Sequence, residues 1–104
     1  MSEWTFITNH GAVLALVAEH EQITARDIAV RLRITERSVR RIIVDLEGSG
    51  YLQRYLDGRV NWYRVRSDLP LRREVTQGVA VGKLLRVLAD SPLTLDGPGE
   101  SSRV

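Results

Sequence analysis

The stretch from Thr24 to Leu52, TARDIAVRLRITERSVRRIIVDLEGSGYL, constrains the fold more than any other part of the chain. Ile28, Ala29 and Leu32 set an apolar face on one short helix. Arg33 and Ile34 make a tight turn. Val39, Ile42, Ile43 and Leu46 then recur at the 3, 4 and 7 spacing of a second helix. Between these apolar positions, Glu36, Arg37, Ser38, Arg40 and Arg41 point elsewhere. A helix that buries one stripe and shows arginines on the other suits the major groove of DNA.

The charge distribution supports an anionic partner. The chain of 104 residues has a formal net charge of +2, but from Arg26 to Arg73 twelve arginines stand against six acids. The remainder is acidic. Because 14 of the 15 cationic residues are arginine, a composition bias explains their abundance, and their placement on helices carries more weight. The absence of cysteine removes disulfides and thiolate chemistry. No segment reads as a signal peptide, and no apolar run approaches the ~20 residues that span a bilayer. The expectation is a cytoplasmic protein with no membrane association.

In chain order, Trp4, Phe6 and Ile7 are expected to pack on the domain or on a second subunit. Asn9 is the expected cap of a first helix running to about His20, with Val13, Leu14, Leu16 and Val17 on a broad apolar face. His10 and His20 lie about 80° apart around a helix, so a metal pair is not expected. Ile23 is a candidate third strand beside the later hairpin. Thr24 caps the next helix, with Asp27 three residues on as its capping-box partner. Thr35 caps the helix after the turn. Its first turn presents Glu36, Arg37 and Ser38. Arg37 or Arg40 can pair with guanine through the guanidinium fork, whereas Arg41, near the edge of the face, suits a phosphate. Ser38 can meet a base edge or a phosphate. Glu36 can accept from cytosine or repel the wrong register.

Gly48, Ser49 and Gly50 end that helix. Residues 51–56 and 59–66 read as two strands joined at Asp57-Gly58, a two-residue hairpin turn. Tyr63 and Val65 are expected to face inward. Arg59 at the turn is a candidate for phosphate or minor groove, and Arg54 and Arg64 for the DNA backbone. Trp62 is expected to pack on a neighbour. Beyond the break at Ser67-Asp68-Leu69-Pro70, a last helix from about Thr76 carries Val81, Leu84, Leu85 and Leu88 on one side, a face that either folds back on the first helix or pairs with its copy as a dimer interface. Gly78 and Gly82 would allow close approach of another helix, though that glycine spacing means little outside membranes. Residues 91–104 read as a mobile tail. There is no glycine-rich phosphate loop and no Ser-His-Asp spacing, so no enzyme and no cofactor is expected.

Three helices followed by a hairpin make a mainly α fold with a small β-hairpin, the winged helix-turn-helix. Ile28-Ala29, Leu32, Ile34-Thr35, Ser38-Val39, Ile43, Leu46-Glu47 and Gly50-Tyr51-Leu52 resemble the pattern of MarR-like and ArsR-like bacterial transcription regulators. Asp57-Gly58-Arg59 and Tyr63-Arg64-Val65 are similar to their wing. The resemblance implies a DNA-binding domain over residues 1–66, a helical segment at 67–90 that dimerises, and the tail. It also implies base reading by Glu36, Arg37, Ser38 and Arg40 and wing-tip contact by Arg59. Such regulators are usually dimers on palindromic operators, and repression is the expected outcome. Either a small-molecule effector binds between subunits or the protein senses nothing itself. The competing reading is a winged-helix module that binds another protein rather than DNA. Val60 and Trp62 favour it; the arginines at 37, 40, 41 and 59 oppose it.

Overall fold

The structure is a computed structural model that describes residues 4–20, 22–58 and 60–89. It divides into two units, Met1–Arg66 and Ser67–Val104. The first unit contains α1 (Asn9–Glu19), α2 (Ala25–Leu32), α3 (Glu36–Gly48) and a hairpin of β1 (Leu52–Asp57) and β2 (Val60–Val65). The second contains a 3-10 turn (Glu74–Thr76) and α4 (Val81–Ala89).

Each helix of the first unit starts at a threonine. The cap of α1 is Thr8, one residue before the expected Asn9, and its hydroxyl accepts from the Gly11 N–H at 3.2 Å. Thr24 and Asp27 form the anticipated capping box on α2. The Thr24 hydroxyl accepts from the Asp27 N–H at 3.0 Å, and the Asp27 carboxylate accepts from the Thr24 N–H at 3.4 Å. Thr35 caps α3 through the Ser38 N–H at 3.0 Å.

Two helices end on a left-handed residue. At the end of α3 the Tyr51 N–H reaches the Leu46 carbonyl and the Gly50 N–H reaches that of Glu47. This is the Schellman pattern, and Gly50 supplies its positive φ of 87°. At the end of α2 the Ile34 N–H reaches Ala29 in the same way, but the left-handed position is occupied by Arg33, at φ 59°. That sharp reversal sets α3 across α2.

The core of the unit is the common ground of three helices and the wing. Val13, Val17, Ile28 and Val39 are fully buried, and Leu14, Ile42, Ile43 and Leu46 nearly so. Burying one such side chain contributes about 1.5–3 kcal/mol. The wing closes one side: β2 packs on α1 and β1 on α3. Leu52 and Tyr63 are buried there, while Val65 is half-buried.

The hairpin register pairs Asp57 with Val60, so Asp57 belongs to the strand and Gly58 opens the reversal. The turn therefore falls one residue later than Asp57-Gly58 suggested. Gly58 has φ 65°, the sign that primed hairpin turns demand at their first position. Arg59 lies outside the described residues. The sheet has two strands among the described residues. Ile23 does not form a third: its side chain is buried, but its N–H is spent on the His20 carbonyl at 3.0 Å.

Of the two expected sites for the N-terminal aromatics, the domain of the same chain does not cover them: Trp4 and Phe6 are 74% and 89% exposed and meet each other edge to face. Ile7 lies over Gly11, where a Cβ would come within 2.8 Å of its side chain.

In the second unit the last helix begins at Val81, not near Thr76. The chain first turns through Glu74–Thr76, and Ala80 bridges Pro70. The leading N–H groups of α4 are then taken by distant carbonyls, Val81 by Leu69 at 2.7 Å and Gly82 by Ser67 at 2.9 Å. A Cβ on Gly82 would stand 2.9 Å from the Ser67 carbonyl oxygen, so this glycine admits a backbone segment rather than another helix. A Cβ added at Gly78 would meet nothing within 4 Å beyond its chain neighbours. The expected tail, 91–104, lies outside the described residues.

Candidate functional site

The buried stripe of α3 leaves its opposite side free. At 100° per residue, Arg37, Arg41 and Val44 stand roughly opposite Val39 and Leu46, with Arg40 at one flank. All four of these outward side chains are exposed. The helix is thus a rod gripped along one side by α1, α2 and β1, with a cationic ridge on the other.

The arginines of that ridge differ in state. Arg40 is ion-paired with Glu36 one turn earlier. Arg37 and Arg41 have no side-chain partner among the described residues. Ser38 is engaged at the cap: its hydroxyl accepts from that of Thr35 at 2.8 Å. Thr35 and Ser38 therefore order the first turn of α3, and Arg37 is the unencumbered guanidinium beside them. The orphan N–H groups of that turn add partial positive charge near the same place.

The wing carries two of the anticipated arginines, on opposite faces. Arg54 lies on the face shared with Tyr63, and its Nε donates to Glu47 of α3 at 3.0 Å. It ties the wing to the helix. Arg64 is on the outer face, with its guanidinium 5.7 Å from the centre of the Tyr55 ring. Trp62 is half-buried. A second long-range tie joins α1 to α3, where His10 Nε2 lies 2.8 Å from Asp45 Oδ2. Among the described residues no cluster of three or more histidines and acids is placed to hold a metal. No described helix is long and apolar enough to cross a membrane.

On α4, Val81 and Leu85 are buried within the single chain, whereas Leu84 and Leu88 are half-buried. One residue of the ridge on α3 escaped the sequence reading. Val44 is 63% exposed, the one apolar side chain of α3 outside the buried stripe. Its offset from the 3-4-7 pattern of Val39, Ile42, Ile43 and Leu46 was the available signal.

Three helices, a tight turn between the second and third, and a two-stranded wing define a winged helix-turn-helix protein. Residues 6–59 match the model of the MarR family. The chain belongs to the MarR family. Of the two groups its motifs resemble, this is the one that the match supports. Among solved structures it is similar to a MepR mutant from a multidrug-resistant S. aureus clinical isolate. The identity is 25% and the TM-score 0.55, over 80% of this chain and 55% of that one. It is also similar to S. aureus MepR in complex with DNA, at 21% identity and a TM-score of 0.53, over 85% of this chain and 62% of that one. A third similar structure is MepR described as a transcription regulator of the Staphylococcus aureus multidrug efflux pump MepA. There the identity is 20% and the TM-score 0.51, over 91% and 70% of the two chains. The chain thus spans less than two thirds of the first two MepR chains. A search of curated proteins finds no match.

Proposed function

We propose that this chain is a sequence-specific DNA-binding transcription regulator that works as a homodimeric repressor. The observation that carries the reading is the outward ridge of α3, with Arg37 and Arg41 opposite the buried stripe and Arg40 at its flank, on a helix fixed by a helix-turn-helix. α3 enters the major groove. Arg37 reads base edges, with Arg40 joining it when the groove displaces Glu36. Arg41 holds a phosphate. The wing lies along the backbone, with Arg64 and Arg59 as its contacts and Arg54 bracing it from behind. MarR-family membership and the likeness to a MepR–DNA complex support the assignment. The second subunit is recruited through α4 by Leu84 and Leu88, and an effector, where there is one, acts between subunits. Repression follows from occupancy, since a protein seated on an operator excludes others from it.

The test is fluorescence anisotropy of the full chain on random duplex DNA, titrated over salt, followed by selection of an operator from a random pool. Each phosphate contact adds about −0.9 to the log–log salt slope. A steep slope and an enriched palindrome are expected. A folded protein that binds no duplex at low salt overturns the reading in favour of a protein-binding module, where exposed Leu56 on the wing becomes the first residue to substitute.

A further inference from the structure

We propose that Val44 is a specificity-determining residue that recognises the 5-methyl group of a thymine in the major groove, an inference that rests on the DNA-binding reading of α3. Val44 lies seven residues beyond Arg37. That spacing brings it within about 20° of Arg37 around the helix and about 10.5 Å further along it. Both stand on the side opposite the buried stripe. Val44 is 63% exposed, so it contributes little to the core of this chain. A β-branched residue is also a poor helix former beside alanine or arginine, so local stability does not favour it there.

Its surroundings narrow what it can touch. Arg37, Arg40 and Arg41 precede it along the exposed side of α3, and all three are exposed. A lone valine beside guanidinium groups does not make an apolar docking patch, because a hydrophobic partner would have to strip water from those charges. It does fit a polyanion that presents an isolated apolar spot between acceptors. The major groove has one such spot, the methyl group of thymine, beside the N7 and O6 acceptors of guanine. A helix lying along the groove carries Val44 roughly three base pairs beyond the base that Arg37 reads. The preferred half-site therefore pairs a guanine with a thymine at that separation.

The experiment uses the full chain and the operator selected from a random pool. Each thymine is replaced in turn by deoxyuridine, which removes the methyl group and keeps base pairing. Binding is measured for the wild-type protein and for Val44→Ala, a change that favours the helix. The expected result is one position per half-site where the wild type loses about four-fold in affinity, the worth of one buried methyl-sized group. Val44→Ala loses a comparable factor on the thymine operator and nothing more on the deoxyuridine one. An unchanged affinity of Val44→Ala, or a deoxyuridine penalty that persists undiminished in it, overturns this inference and leaves the regulator reading standing. Absence of all duplex binding by the wild type overturns both.

Discussion

Arg37 and Arg40 are three residues apart on one helix, yet they meet a ligand in different states. Arg37 has no partner among the described residues to give up. Arg40 must leave Glu36, and that exposed pair costs little to break because water and salt screen it. A bidentate contact with guanine is worth about 1–3 kcal/mol of discrimination. Arg37→Ala is therefore expected to weaken operator binding by about 1–3 kcal/mol and to leave random-duplex binding nearly unchanged. Parallel titrations of the two DNAs check it, and an equal loss on both would make Arg37 a phosphate contact. Arg54 shows what residue type alone leaves out. On a wing it reads as a DNA contact; the fold also pairs it with Glu47, and no local spacing announces that partner seven residues away on a different element.

At the scale of elements, the caps and the turns separate cleanly. Thr24, Asp27 and Thr35 were legible because each cap is a contact between residues three apart. The end of α2 is less economical. Arg33 holds a left-handed φ of 59°, which costs a side-chain-bearing residue roughly 1–2 kcal/mol, while α3 ends on glycine for the same purpose. Glycine loses more freedom on folding, which offsets part of the gain. Arg33→Gly is thus expected to stabilise the fold by about 0.5–1 kcal/mol, read as a higher midpoint in urea denaturation. Gly82 predicts the opposite sign from its propensity. In an open helix interior, Gly→Ala stabilises by about 1 kcal/mol. Here the added Cβ meets the Ser67 carbonyl oxygen at 2.9 Å, and backbone cannot swing aside as a side-chain tip can. Gly82→Ala is expected to destabilise, by about 1–3 kcal/mol, as overpacking does. A rise in thermal midpoint for this variant would refute the close approach.

For the whole molecule, the open question is how the chain buries what it leaves bare. Leu84 and Leu88 are half-buried on α4, and Val81 and Leu85 are already inside the single chain. A dimer through α4 therefore draws on the first pair. Leu84→Glu is expected to halve the sedimentation mass while keeping the helical circular dichroism, and an undiminished mass would move the interface elsewhere. Leu85→Glu makes the poorer test, because a charge at a buried position threatens the fold itself. The loss of mass in Leu84→Glu is also expected to weaken operator binding steeply, since two linked half-site contacts act at a high effective concentration and a lone one does not.

The sequence by itself determined the winged helix-turn-helix. Its apolar period, its threonine caps and its glycine stops are contacts or spacings within two helical turns, so they can be read before the chain is folded. It also marked α3 as the arginine-bearing helix. Tertiary structure alone decided the rest. Helix α4 starts at Val81 because the Ser67 and Leu69 carbonyls take its first N–H groups. Arg54 finds Glu47 because the fold lays β1 against α3. Each of these outcomes depends on which distant or competing group claims a donor. Such competition is settled only when the chain folds and brings the claimants within hydrogen-bond distance.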